Sequence, residues 1–338
     1  MASLLTHAYG SDHTGLIVGY RFSGLGAAQR IDATEAVAWM KCADRDNAEF
    51  IWMHFDLARA GAEKWLRQHL ALPDAFYEVL REGTRASRIE YIDGSLVAVI
   101  NDVLYDFAFN SSSISTLWVA ADSRLVVTAR QHALRSVDRL RNSVRTGAVL
   151  ATTTELVVHL LRDEADVLVG ITRTGIGKVD EIEDTLLADR LDLNRVGLGS
   201  LRRVLVRVQR LLAPEPAALF RLLNRPPAWM SEHDLQELRQ STEEFSAALN
   251  EMSALLERIK LLQEEVASRV NEQNNRLLLL LSVVTVFGLP FTVVSGLFGM
   301  NVGGIPFNED KNGFWIIVGL VAGFTAAAVW LLFRWRRK

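Results

Sequence analysis

Hydrophobic positions change their spacing twice along this chain, and the changes predict three kinds of element. Up to about residue 145, short runs of branched and aromatic residues alternate with turn residues. TGLIVGYRF (14–22) and AEFIWMHFDL (48–57) have the composition of strands, and 62–70 that of a helix. SRIEYI and LVAVIND flank Asp93-Gly94-Ser95, a hairpin signal, and STLWVAA and RLVVTAR predict a second hairpin around Asp122-Ser123. The region 1–145 is therefore expected to be an α/β domain with a mostly antiparallel or mixed sheet.

From there the spacing becomes helical. Thr152 with Glu155 makes a capping-box pattern before LVVHLLRDEADVLVGI, in a helix that continues toward Leu187. A second helix is expected from about Leu198 to Leu212. Pro214 and Pro216 interrupt it, and Ala217 to Leu223 add a short turn. Ser231 is the expected N-cap of the next helix, and no Gly or Pro follows before Phe287. Steps of three and four pick out Leu235, Leu238, Thr242, Phe245, Leu249 and Met252. They continue through Leu256, Ile259, Gln263, Val266, Val270 and Gln273, and nine of the twelve are apolar. A helix running from Ser231 to near Gly299 would be about 100 Å long. Such a stalk either packs inside its own subunit or forms one stave of an oligomeric funnel, and the second reading is favoured because one hairpin cannot enclose a watery path.

The third pattern is continuous apolarity. Leu277 to Phe298 and Phe314 to Phe333 contain no charged residue. About 20 helical residues cross the hydrocarbon of a bilayer. Two such stretches separated by a short loop predict a membrane hairpin. Arg269 and Arg276 precede the first, Arg334, Arg336, Arg337 and Lys338 follow the second, and the loop carries Glu309, Asp310 and Lys311. The positive flanks place both termini in the cytoplasm. The N-terminal MASLLTHAYGSDHTG lacks the pattern of a secretory signal, so the N-terminal bulk is expected there too. The expected boundaries are 146–230 for the helical segment, 231–276 for the stalk, 277–299 and 314–333 for the spans, 300–313 for the outer loop and 334–338 for a basic tail.

Composition narrows the functional classes. A net charge of -3 gives no reason to expect a nucleic-acid partner, and the single Cys42 excludes an internal disulfide or a multi-thiolate zinc site. No catalytic constellation is present, so the chain is expected not to be an enzyme. Neither span holds an acid, a base or a histidine. The first carries a helical stripe of Asn275, Leu278, Ser282 or Leu281, Thr285, Leu289, Thr292 and Gly296. Around a symmetry axis its oxygens would meet cations and its leucines would gate by dewetting. Small and hydroxyl residues equally suit plain helix packing. Pro290 removes the amide that would serve the Val286 carbonyl and is the expected hinge. Asn301 would ring the outer mouth, with Glu309 and Asp310 attracting cations. His159 and Asp163, four apart on one helix, form a candidate metal pair. Asp180, Glu181, Glu183 and Asp184 form an acidic cluster, better read as a solvated face. Gly175-Ile176-Gly177-Lys178 lacks the spacing of a phosphate loop.

Gly299-Met300-Asn301, closing the first of two C-terminal spans, resembles the signature of the CorA family of divalent-cation transporters. The run Gly296 to Pro306 and Trp229-Met230-Ser231 look like its zinc-transporting ZntB branch. The resemblance covers essentially the whole chain. It implies an α+β cytoplasmic domain, a long helical stalk and two C-terminal transmembrane helices, assembled as a homopentameric funnel in the bacterial inner membrane. It implies a pore along the first span, with Gly299, Met300 and Asn301 at the selectivity ring and Thr292, Leu289, Leu281, Leu278 and Asn275 facing inward. It further implies Zn²⁺ as the transported ion, with cadmium, nickel and cobalt as related cargo, a link to the proton gradient, and no resident cofactor. A complete Gly-Met-Asn triplet keeps a magnesium or cobalt channel open. A membrane-tethered sensor or scaffold is the alternative of another class.

Overall fold

Seven strands form one mixed sheet. They are β1 (Leu16–Phe22), β2 (Gln29–Ile31), β3 (Phe50–Asp56), β4 (Arg88–Ile92), β5 (Ser95–Val103), β6 (Ile114–Ala121) and β7 (Leu125–Arg130). Their order is β2-β1-β3-β7-β6-β5-β4, with β3 and β7 parallel and every other neighbouring pair antiparallel. This computed structural model describes residues 10–24, 26–42, 49–83, 87–107, 109, 114–187, 194–300, 306 and 311–335. The Asp93-Gly94 turn joins β4 to β5, and φ angles of 50° and 82° at its two residues supply the left-handed pair that a tight hairpin needs.

Helices cover both faces of the sheet. One face packs Ile51, Met53, Phe55 and Trp118 against α1 (Ala33–Lys41), α2 (Ala62–His69) and α3 (Asp74–Glu82). The other packs Phe22, Trp52, Ile100 and Val119 against α4 (Arg135–Arg145), α5 (Thr153–Leu187) and α7 (Pro214–Asn224). Burial on both faces explains the strand sequences: every residue of β5 after Ser95 is buried, so the strand reads as one apolar run and not as an alternation. Helix α6 (Asn194–Leu212) lies beside α5 and the following α8 (Glu232–Phe298). Gly175 on α5 marks the approach, because a Cβ there would stand 2.9 Å from Leu255 and 3.6 Å from Leu205. The last helix is α9 (Gly313–Trp335).

The helix signals act as expected at both long N-termini. Thr152 Oγ1 accepts from the Glu155 amide at 3.0 Å, and Glu155 returns a bond to the Ala151 amide at 2.6 Å. Ser231 Oγ accepts from the Asp234 amide at 3.1 Å, while Asp234 Oδ2 accepts from the Ser231 amide at 2.9 Å. These reciprocal bonds satisfy amides that a helix start would leave bare.

Two expectations are corrected. Pro214 begins an 11-residue helix instead of ending order before a short turn. Proline lacks only an amide that the first helical turn does not use. The apolar seam of the stalk is also reassigned. Leu238, Thr242, Phe245, Leu249, Met252 and Ile259 are all buried inside the single chain, so over this stretch α8 is a core helix of its own subunit. The chain divides into two units, Met1–Gln263 and Glu264–Lys338, and α8 contributes to each.

Candidate cation path

Helix α8 is the described helix long and apolar enough to cross a membrane; α9 has a shorter described apolar stretch, Gly313–Ala327. The helix runs unbroken through Pro290 to Phe298. At its end, a Cβ on Gly299 would lie 2.9 Å from the Ser295 carbonyl oxygen, so glycine fits where the Gly299 amide donates to that carbonyl at 3.0 Å.

Within the second unit the two helices cover one stripe of each other. On α8 the partly covered residues of the apolar segment are Val283, Phe287, Pro290 and Val294. On α9 the covered positions include Gly313, Ile317, Val321 and Thr325. Both sets repeat at helical spacing, as a packed seam requires. At about 100° per residue, Leu278, Leu281, Thr285, Leu289, Thr292 and Gly296 fall on the opposite side of α8, with Asn275 at the edge of the stripe. All seven are exposed. The mixed stripe of oxygens and leucines is therefore the face that the second helix leaves bare.

Its hydroxyls are oriented by their own helix. Ser282 Oγ donates to the Leu278 carbonyl at 2.8 Å, Thr285 Oγ1 to Leu281 at 2.8 Å and Thr292 Oγ1 to Leu289 at 2.8 Å. With the proton committed inward, each oxygen offers only lone pairs outward, which is the polarity a cation's shell accepts. Leu278, Leu281 and Leu289, each about 60% exposed, interleave with them. Met300 is exposed beyond the helix end. Asn301, Glu309 and Asp310 lie outside the described residues.

The other candidates are engaged within the first unit. His159 Nδ1 and Asp163 Oδ2 are 3.1 Å apart on α5, and Arg139 Nε reaches Asp163 at 3.5 Å. The hydrogen bond to Asp163 raises the His159 pKa, against the effect of burial. Arg258 on α8 pairs with Asp180 at 2.7 Å and with Glu183, whereas Glu181 and Asp184 stay exposed. Among the described residues no group of three or more His, Cys, Asp and Glu side chains is placed to hold a metal. His54 is buried with both ring nitrogens occupied: Nδ1 lies 2.8 Å from Thr128 Oγ1, and Nε2 accepts from Arg130 at 3.2 Å. Burial, and then the charges of Arg130 and Arg141, hold its pKa well below the usual histidine value.

One cluster was not anticipated from the sequence. Glu164 on α5 and Glu215 at the start of α7 are fully buried and lie against each other. Ser87 Oγ donates to Glu215 Oε2 at 3.3 Å, and Asn101 Nδ2 donates to Ser87 Oγ at 3.2 Å. Burial and the neighbouring negative charges push Glu164 well above the usual carboxyl range. Burial pushes Glu215 up to about 8, partly opposed by the bond from Ser87, while both Glu164 oxygens and Glu215 Oε1 are buried with no hydrogen-bond partner among the described residues. Asp102, which accepts from the Ser136 hydroxyl at 2.6 Å, is raised by burial to about 6. The available signal was Glu164 standing four residues from both Leu160 and Leu168, on the buried stripe of α5.

The family described as "CorA-like Mg2+ transporter protein" matches residues 47–337. This chain belongs to that family. The CorA-like fold, a soluble α/β region followed by a long helix, extends over nearly all of it. The full-length CmaX structure superposes with a TM-score of 0.79 at 29% identity, covering 97% of this chain and 100% of that one. "Divalent cation transporter CmaX" of Pseudomonas aeruginosa is 31% identical over 329 residues, 96% of each chain. "Zinc transport protein ZntB" of Yersinia pseudotuberculosis is 25% identical over 287 residues, 84% of this chain and 86% of its own. The CorA membership expected from Gly299-Met300-Asn301 is thus established, with relatives of both the CmaX and ZntB kinds.

Proposed function

We propose that this chain is the subunit of a homopentameric inner-membrane transporter that moves Zn²⁺, and related transition-metal ions, along a pore lined by α8. The observation that carries the reading is the bare face of α8: Thr285, Leu289 and Thr292 lie opposite the seam that α9 covers. One chain cannot surround water, and five copies with these faces turned inward would. In that arrangement α9 crosses the bilayer behind α8 and faces lipid, both termini are cytoplasmic, and Asn301 rings the outer mouth with Glu309 and Asp310 nearby. Family membership favours transport over catalysis, and the relative named for zinc supports Zn²⁺. His159 with Asp163, and the acidic cluster at 180–184, would have regulatory and not transported-ion contacts with metal. Any link to the proton gradient must run through water, hydroxyls or groups outside the spans, since the apolar segments contain no titratable residue.

A second reading has its own support. The more similar relative is described only as a divalent-cation transporter, and the family description names magnesium, so a magnesium or cobalt channel of the same architecture is the alternative substrate class. Flux into proteoliposomes with Zn²⁺, Mg²⁺ and Co²⁺, with and without a pH gradient, separates the two. Zinc uptake that responds to the gradient supports the proposal, and magnesium flux far above zinc moves the assignment to the channel. Assembled protein passing no metal under any condition would leave a sensor or scaffold.

A further inference from the structure

A cleft of about 960 Å³ in the first unit is lined on one side by α6. That helix presents Arg202, Arg203, Arg207 and Arg210 to it, all on the face set by positions i, i+1, i+5 and i+8. Among the described residues no carboxylate lines the cleft, and none of the four arginines has an ion-pair partner. By contrast, Arg21, Arg67, Arg88, Arg139, Arg141 and Arg258 each meet an acid elsewhere in the chain. The opposite wall carries no charge of its own: Asn101, Ser115, Thr116 and Gln131 share it with the apolar Leu80, Ile114 and Trp118.

Four guanidinium groups within about two and a half turns repel one another, and like charges at i and i+4, as in Arg203 and Arg207, destabilise a helix by a few tenths of a kcal/mol. The arrangement is therefore poised for an anion. Guanidinium forks match phosphate oxygens in paired hydrogen bonds, and the uncharged wall supplies further donors without repelling the ligand. The volume suits a small molecule, since such sites span about 300–1,000 Å³.

We propose that this cleft between α6 and the sheet is a binding site for a soluble small molecule carrying two or more linked phosphates. It lies in the first unit, and its occupancy is independent of whether the pore reading holds. The assignment rests on the unpaired arginines, the missing carboxylates and the uncharged far wall.

The test uses the full-length protein in detergent, freed of metal by chelation, titrated calorimetrically with tripolyphosphate. The wild type is expected to bind, and Arg203→Ala with Arg207→Ala to weaken binding at least tenfold. Arg139→Ala, which removes a paired surface arginine elsewhere, is expected to leave the affinity unchanged. The milder pair Arg203→Gln and Arg207→Gln serves if the alanine variant fails to fold, judged by circular dichroism and elution volume. Absence of binding by the folded wild type at millimolar tripolyphosphate overturns the proposal. So does equal binding by a folded double variant. Loss of the oligomer in that variant with tripolyphosphate binding intact would assign the arginine face to contact with a second copy and overturn it as well.

Discussion

Thr285 and Phe287 stand two residues apart on α8 and face opposite environments: Phe287 is partly covered in the hairpin seam, while Thr285 is exposed and donates its proton to the Leu281 carbonyl at 2.8 Å. The same split recurs one level up, with Pro290 and Val294 on the covered stripe and Thr292 on the bare one. A helix with one side committed to its partner and the other side mixed in polarity is what a pore wall requires.

Replacing the Thr292 hydroxyl by a methyl of similar size tests the outward lone pair. Thr292→Val is expected to lower metal flux in proteoliposomes by about tenfold, the equivalent of about 1.4 kcal/mol at the barrier. Phe287→Leu, on the covered side, is expected to stay within about twofold. Equal effects of the two would show that the bare stripe has no special contact with the ion.

The outer ring is tested by selectivity. Asn301→Ala is expected to change the ratio of Zn²⁺ to Mg²⁺ flux, because an amide carbonyl that replaces part of a hydration shell acts differently on ions of different size and hydration. Unchanged ratios across both metals would remove Asn301 from the filter.

The stalk seam gives a stability prediction. Met252 is fully buried within the subunit, whereas Gln273 is exposed. Met252→Ala is expected to cost about 2–5 kcal/mol of unfolding free energy, as truncations of buried methionine do, and Gln273→Ala to cost nothing measurable. Denaturant unfolding of the detergent-solubilised protein reads both. A negligible cost at Met252 would return the seam to an oligomer contact.

The buried acids predict an alkaline loss of stability. Glu215 titrates near 8 in the folded chain against an ordinary value of 4.5, so the folded state holds a proton that the unfolded state releases across that window. Stability is therefore full below about 4.5 and falls as pH rises toward about 8. Glu164, also raised, acts in the same direction. Glu215→Gln removes one titrating group, and the fall in melting temperature between about pH 5 and pH 8 is expected to shrink relative to wild type. A variant with an unchanged pH profile would show that this carboxyl does not carry the effect.

Much of the architecture was legible because its signals are local. Asp93-Gly94 marked a hairpin, Ser231 and Asp234 marked a helix start, and the absence of Gly and Pro up to Phe287 marked a long α8. Helix α1 went unread although Asp32 and Glu35 form a full capping box, with Asp32 accepting from both the Thr34 and Glu35 amides at 2.8 Å. Its nine residues bury only Ala33 and Ala36, too little apolar surface to leave a periodic trace. The stalk seam was visible, but its partner was not: periodicity shows that one face of α8 is covered and cannot say by which chain. The bare stripe of α8 was legible as a list of residues. What the sequence lacked was the position of α9, which separates Thr285 and Thr292 from Phe287 and Val294.

Cysteine accessibility tests that separation most directly. Cys42 is the chain's single cysteine and is exposed, so the background is Cys42→Ser. In it, Thr292→Cys and Val294→Cys are compared for block of metal flux by a water-soluble, charged thiol reagent. The pore account predicts that the reagent stops flux through the Thr292→Cys protein and leaves the Val294→Cys protein conducting. Block at Val294 with none at Thr292 would contradict it.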